Sequence, residues 1–380
     1  MKIVSAIDSF KGSLDSLSLA KCAERGIKKV FPDATVINIS IADGGEGTLD
    51  SIALSCDLEK VELKVKNPID EEIDSYYGIF KDGKTLIEMA KASGLTLVDK
   101  DKTDIMNSCT YGTGQLIADA LLRGAKEIML AIGGSATNDG GVGMLSALGY
   151  KFFDTNNCEI KNIKAKDLSL ISSIDSTSAM PQIKNCRFTV ACDVSNPFCG
   201  KSGAAYVFAK QKGASDSQIE ILNKSLESFS KVIFAHTKKD IKEMSGAGAA
   251  GGVGGAALAF LNAEFKSGIN FLLDLVNFDS LIKDADYVIT GEGKLDSQSA
   301  FGKAPCGVAK RAKMQNKKVI AIAGMVDDGA ESLRECGVDA MFSISNKIVT
   351  LEQAMSKEIS SKNVERLMEE VFRVIKISEK

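Results

Sequence analysis

The amino-acid sequence predicts an α/β protein of two domains. One is a Rossmann-like domain with a parallel sheet, formed by the N- and C-terminal parts of the chain. The other is an inserted second α/β domain with a mixed sheet. Three observations predict this. Strand and helix patterns alternate with short connections at the start of the chain and again after Tyr287, an order that implies right-handed crossovers and a parallel sheet. Between them lie short strands joined by the hairpin signal Asp82-Gly83, which implies antiparallel pairing in a different sheet. A chain of 380 residues also exceeds what one hydrophobic core usually supports.

Residues 2–7 form a compact apolar run, read as a first buried strand and not as a signal peptide, which needs a longer apolar region and a small-residue cleavage site. Residues 17–30 repeat apolar side chains at helical spacing behind Asp15 or Ser16 as N-cap. A second strand is expected at 34–39, then a glycine turn and a helix from about Thr48. Segments 59–66, 75–80 and 85–89 read as short strands, followed by strands at 127–132, 150–153 and 187–192 with helices between them. The earlier rhythm returns with strands at 287–290, 319–323 and 340–343, and the chain closes in a helix from about Asn363. Residues 1–67 and 285–380 are thereby assigned to the Rossmann-like domain and 68–284 to the insert, with the active site expected in the cleft between them.

Apolar residues at 44% and charged residues at 26% leave ample material for a globular core. The net charge of −3 lacks the basic excess of a general nucleic-acid surface, so any positive charge used on an anion must be placed locally. No apolar run approaches the ~18 residues of a membrane span, and no membrane partner is expected. Nine cysteines occur without a C-x-x-C pair, the usage of free thiols in a reducing, cytoplasmic compartment. The single histidine, His236, has no cysteine cluster beside it, which argues against a zinc site.

Glycine is bunched in four polar segments: ADGGEGT at 42–48, IGGSATNDGGVG at 132–143, GAGAAGGVGG at 246–255 and GEGKLDSQSAFGK at 291–303. Two of them directly follow an expected strand and the first follows one closely, at strand C-terminal ends where open α/β sheets bind ligands. Glycine there lets backbone N–H groups approach an anion. The candidate binding residues are Ser9, Asp43, Gly44, Gly45, Glu46, Gly133, Gly134, Ser135, Thr137, Asn138, Asp139, Asn196, Gly291, Glu292, Gly293 and Lys303. For GAGAAGGVGG, close packing of the helix that follows explains much of the glycine. Asp139, among Asn138, Gly140 and Gly141, also has the setting of a helix start.

These charged residues suit phosphoryl transfer better than redox chemistry. That reaction needs cations on the phosphates, carboxylates for Mg²⁺ and a base for the acceptor hydroxyl. Lys11 lies just beyond the first strand, Asp193 just beyond the strand at 187–192, and Asp296 in the last glycine segment. They are the candidate catalytic residues, with Asp193 and Asp296 also the candidate metal ligands. Asp193 is read as either the base or a magnesium ligand, against the plainer reading that it caps its own turn. His236 sits in a solvated helical pattern, so a carboxylate is the default base. Two generic motifs are discounted. GAGAAG at 246–251 fits a dinucleotide fingerprint but follows no buried strand. SNPFCGKS at 195–202 has serine where a P-loop needs its first glycine.

With these segments assembled, the sequence resembles type I glycerate kinases over nearly its whole length. The matching segments are DSFKGSL (8–14), ADGGEGT (42–48), TYGTGQLI (110–117), IGGSATNDGG (132–141), ACDVSNPFCG (191–200), QKGA (211–214), GAGAAGG (246–252) and ITGEGKLDSQSAFGKAPCGVAKRA (289–312). Ile7 and Ser245 replace prolines common in the family, and Phe208-Ala209-Lys210 replaces Phe-Gly-Pro. None of these departures removes a candidate acid or lysine. The resemblance implies ATP and Mg²⁺ as co-substrates, D-glycerate as acceptor, and a two-domain fold with a Rossmann-like part. It favours 2-phosphoglycerate over 3-phosphoglycerate as product. The rival readings are an NAD-dependent hydroxy-acid dehydrogenase, resting on GAGAAG alone, and a non-catalytic binder of small acids.

Overall fold

Internal contacts divide the chain into two units, Met1–Asp43 with Asp50–Asp57 and Leu272–Lys380, and Gly44–Leu49 with Leu58–Phe271. The computed structural model describes residues 1–10, 12–41, 47–53, 56–300, 302–348 and 350–378. In chain order the strands are β1 Lys2–Ile7, β2 Thr35–Asn38, β3 Leu58–Lys66, β4 Glu72–Phe80, β5 Lys84–Glu88, β6 Glu127–Ala131, β7 Lys151–Phe153, β8 Ser173–Asp175, β9 Arg187–Ala191, β10 Glu264–Lys266, β11 Tyr287–Leu295, β12 Lys318–Val326 and β13 Ala340–Ser343.

In the first unit a five-stranded sheet runs β13-β12-β11-β1-β2, with every neighbouring pair parallel. Helix Ser16–Val30 starts at Asp15, whose carboxylate accepts from Ser18 N at 2.8 Å. Its apolar positions Leu19, Ala23 and Ile27 recur at helical spacing and are buried with Met368 and Phe372 of helix Lys357–Ser378 and with Ile3, Ile289 and Ile322 of the sheet. From β1 the sheet is extended by β2 on one side and by β11 on the other. In an open parallel sheet such a reversal leaves a crevice at the carboxyl ends of the two central strands. Here β1 ends at Ile7, which pairs in register with Gly291, while β11 runs on to Leu295.

The second unit is built on a six-stranded mixed sheet in the order β10-β9-β6-β5-β4-β3. The four strands β10, β9, β6 and β5 are parallel, whereas β4 and β3 run antiparallel. Residues 128–131 of β6 and 188–191 of β9 are all buried, as expected of parallel strands covered on both faces. Leu116, Leu130, Leu145, Phe188, Phe198 and Phe229 belong to the core around them.

Several expectations are corrected here. Residues 58–66 belong to the second unit, because β3 pairs with β4 along its whole length from Leu58↔Phe80 to Lys66↔Glu72. Residues 272–284 fall in the first unit. The strand expected at 150–153 forms a separate antiparallel ribbon with β8. The last helix begins at Lys357, not near Asn363. The largest change concerns β11. It continues through Leu295 and pairs with β12 as far as Val326, so Gly291, Glu292 and Gly293 are strand residues and not a loop. A Cβ on Gly291 would lie 2.0 Å from Ile322 O, so this glycine serves close approach of two strands. Finally, Cys306 and Cys336 are joined as a disulfide with Cα atoms 5.3 Å apart, where free thiols were expected. Helices Ala304–Met314 and Leu333–Cys336 pack against each other and bring the two sulfurs together. The other seven cysteines form no disulfide among the described residues.

Candidate functional site

The four parallel strands of the second unit end in one row. Glu88 of β5 pairs with Ala131 of β6, Ala131 with Ala191 of β9, and Ala191 with Lys266 of β10. The segments leaving that edge are the glycine loop 132–139, Cys192-Asp193 and Ser267-Gly268.

In the glycine loop only the tip faces solvent. Gly134 is exposed and Gly133 half-buried, while Ser135 to Asp139 are buried. Asp139 fixes the base of the loop. Its carboxylate accepts from Thr110 N and Oγ1, both at 2.8 Å, from Gly141 N at 3.0 Å and from Gly143 N at 3.1 Å. Burial pushes its carboxyl above the ordinary value, and these donors pull it back. Those bonds use the acceptor capacity of a carboxylate. Asp139 therefore braces the loop from within the protein.

The segment 246–252 packs directly on this loop. Gly251 O accepts from Gly140 N at 2.9 Å. Gly251 has φ +68°, and a Cβ there would lie 2.1 Å from Thr137 O. The glycines of GAGAAGG thus let two backbones touch. Lys212 closes the loop from another side: its Nζ donates to Ser135 Oγ at 2.8 Å and to Thr137 O at 2.7 Å, and the residue is 2% exposed. Burial pushes its amine down to about 7, against the pull of Asp139. Among the described residues, Thr137 Oγ1 and both side-chain polar atoms of Asn138 are buried without a hydrogen-bond partner.

Asp193 is exposed, and its Oδ1 accepts from Gly268 N at 2.9 Å, at the start of helix Gly268–Leu275. Asn196 ties its own loop, donating from Nδ2 to Ser202 O at 2.8 Å. Glu88 is completely buried and accepts from Gly47 N and Leu49 N, each at 2.8 Å. It thereby anchors the end of the segment ADGGEGT.

The first unit gathers a second group at the ends of β1 and β11. Asp8 N donates to Gly291 O at 2.9 Å, and Ser9 N to Asp8 Oδ1 at 2.6 Å. Glu292 accepts from the Ser299 hydroxyl, and its other oxygen lies 3.8 Å from Lys303 Nζ. Burial raises the Glu292 carboxyl, Ser299 and Lys303 lower it, and the charges of Asp8 and Asp296 raise it further. Asp296 accepts from Gln298 N at 2.9 Å, and Lys294 Nζ stands 3.6 Å from it. Ser9, Gly291, Glu292, Asp296 and Lys303 are thus gathered at this edge. Lys11, Asp43, Gly44, Gly45 and Glu46 lie outside the described residues.

A model of the glycerate kinase family matches residues 3–376. The chain is 45% identical over 355 residues to a glycerate 2-kinase of Escherichia coli K12, covering 93% of each chain. It is 42% identical over 379 residues to a glycerate kinase of Bacillus subtilis, covering 100% of this chain and 98% of that one. A crystal structure described as a candidate glycerate kinase 2 from Salmonella typhimurium LT2 superposes with TM-score 0.86 at 39% identity, over 100% of this chain and 99% of that one. This chain belongs to the glycerate kinase family.

As a member of that family it is a kinase that transfers phosphate to an alcohol. Among the described residues no group of three or more His, Cys, Asp or Glu could hold a metal ion. Mg²⁺ beside nucleotide phosphates needs only one or two carboxylates, the rest of its shell being water and phosphate oxygen. Glu292 and Asp296, close enough for one charge to shift the other's proton affinity, fit that lesser demand. Among the described residues no helix is long and apolar enough to cross a membrane.

Sequence reasoning did not single out Glu88, Thr110 and Lys212, which hold loops of the second unit through hydrogen bonds. Glu88 was discoverable, since a carboxylate closing the buried run TLIEM ends a parallel strand. Lys212 was not. It lies in the matching segment QKGA, two residues from exposed Lys210, but nothing in that polar stretch marks it as buried, and only the tertiary structure buries it.

Proposed function

We propose that this chain phosphorylates a hydroxyl of D-glycerate with ATP and Mg²⁺, giving 2-phosphoglycerate and ADP in the cytoplasm. The observation that carries the reading is the row Glu88, Ala131, Ala191 and Lys266, beyond which the glycine loop and Asp193 leave one sheet edge. The relatives' names supply the substrate, and one of them the position of attack.

In this reaction the glycerate hydroxyl oxygen bonds to the γ-phosphorus. The bond from that phosphorus to the β–γ bridging oxygen breaks, and ADP leaves with the electron pair. The hydroxyl proton needs an acceptor, and Asp193 is the proposed base, or alternatively a ligand of Mg²⁺ with Asp296. Lys11 and Lys303 are assigned to the negative charge of the phosphates or of the glycerate carboxylate. The remaining candidate binding residues orient the two substrates, Asp139 by bracing the loop that carries Gly133 and Gly134.

The dehydrogenase reading loses its footing. Residues 240–248 form turns and irregular backbone with no strand before them, and the space beside Gly248, the glycine at which that fingerprint admits the pyrophosphate, is filled by Pro197 O. A pyrophosphate would have no room there.

The test is ADP formation from glycerate and ATP, with and without Mg²⁺. Glycerate-dependent ADP that EDTA abolishes is expected; absence of that dependence would sink the proposal. Coupling of phosphorus to one methine proton in the product's NMR spectrum identifies the 2-phosphate, and coupling to a methylene pair the 3-phosphate.

A further inference from the structure

Lys212 is a lysine where an apolar residue would be cheaper. It is 2% exposed, at the end of the turn Lys210–Lys212. Its neighbour Lys210 reaches Asp216 at the surface, 3.2 Å away, but Lys212 makes no ion pair among the described residues. Asp139 is the charged group that acts on it, from the base of the same loop. A buried ammonium without a paired carboxylate is an expense that hydrophobic packing would avoid. What the amine does is specific: it joins Ser135 Oγ and Thr137 O across Ala136. The solvent-facing tip Gly133-Gly134 is carried directly on this tied segment. Beside it Thr137 Oγ1 and the side-chain polar atoms of Asn138 are buried without partners among the described residues, so the loop is polar inside and held by few side chains.

We propose that Lys212 is a positioning residue for the phosphoryl transfer: it fixes the loop that presents Gly133 and Gly134, and its charge favours an oxyanion bound at that tip. The oxyanion is the glycerate carboxylate or an ATP phosphate. This rests on the kinase reading above. A cation under the loop strengthens the attraction of its backbone dipoles for an anion, in surroundings where water screens little.

The experiment compares the full-length chain with Lys212→Met, which keeps the apolar stem and removes the amine, and with Lys212→Arg, which keeps a charge. In Lys212→Met, amide exchange of peptide 132–141 should quicken by at least about tenfold. KM for one substrate should rise by a similar factor, more than kcat falls, as expected when a binding interaction is lost. ATP or glycerate as the affected substrate identifies the oxyanion. Lys212→Arg should recover part of the affinity. Unchanged loop exchange, or both KM values within twofold of the unsubstituted chain, overturns the proposal. If Lys212→Met does not fold, the pH profile of the unsubstituted chain decides. One KM should rise severalfold between pH 6 and 8.5 as the amine loses its charge, and a flat profile overturns the idea. A chain that forms no glycerate-dependent ADP removes the kinase reading, and loop exchange in the variant then decides the positioning claim on its own.

Discussion

Thr110 gives Asp139 two hydrogen bonds, one from its backbone N–H and one from its hydroxyl, each 2.8 Å long. The same hydroxyl accepts from Met144 N at 2.8 Å. One side chain therefore links the start of helix Tyr111–Leu122, the loop carboxylate and the first turn of helix Val142–Ala147. Thr110→Val keeps the shape but leaves the buried Met144 N–H without its acceptor. The expected loss is about 1–3 kcal/mol, the usual cost of an unsatisfied buried donor. Thr110→Ser should cost less than about half of that. Urea unfolding measures both, and equal stability of the two variants would show that the hydroxyl is idle.

Glu88 holds Gly47 N and Leu49 N at 2.8 Å each from complete burial. In Glu88→Gln one acceptor oxygen becomes an NH₂ group facing an N–H donor. Stability should fall by about 1–3 kcal/mol. Glycerate-dependent ADP formation should fall further than stability alone explains, because Gly47, which Glu88 holds, directly follows the candidate residues Asp43 to Glu46 in the sequence. Full activity at a temperature well below the melting point would show that this anchoring does not serve the reaction.

Lys212 also makes stability depend on pH, and the sign follows from its shifted proton affinity. Burial lowers its amine from 10.5 to about 7. Between those values the unfolded chain carries a proton that the folded chain has shed, so stability rises with pH across that window. Below about pH 7 both states are protonated and this group adds no further slope. The stability difference between the unsubstituted chain and Lys212→Met should therefore grow from pH 7 towards pH 10, in favour of the unsubstituted chain. Urea midpoints across that range measure it. A difference that stays level would mean the amine keeps its proton.

The strands were legible where the pattern was apolar and continuous. Residues 2–7 and 340–343 were read to the residue, because both are short runs bounded by clear breaks. β10 escaped notice, since Glu264–Lys266 has charged residues at both ends and joins the sheet through backbone pairing with β9. β11 was cut short because Gly291 and Gly293 look like loop residues, yet Gly291 is required by the approach of Ile322 O. The same ambiguity governed the site. Glycine and a nearby acid mark a ligand loop, but they also mark a loop held by its own carboxylate. The bracing by Asp139 is visible only in the four donors that surround it, two of them from Thr110, which lies 29 positions earlier in the chain.

Asp193 separates the chemistry from the architecture. It stands two residues beyond Ala191, in the strand that pairs with β6, and its side chain is exposed. One oxygen already accepts from Gly268 N at 2.9 Å, so it caps the start of a distant helix and not its own turn. A cap alone would account for the residue, so the substitution must spare the cap. Asn does so, because its side-chain oxygen can accept the Gly268 N–H while it carries no charge and takes no proton. In Asp193→Asn, melting temperature and substrate binding should stay close to those of the unsubstituted chain. If the carboxylate is the base, turnover should drop by roughly 10²–10⁴-fold, the usual contribution of general-base catalysis. If it is a ligand of Mg²⁺, raised Mg²⁺ or Mn²⁺ should restore part of that loss, whereas a missing base is insensitive to metal concentration. Undiminished turnover in a folded Asp193→Asn would reduce the residue to the start of helix Gly268–Leu275. The proton would then have to pass to another acid, and Asp296 and Asp43 are the ones to substitute next.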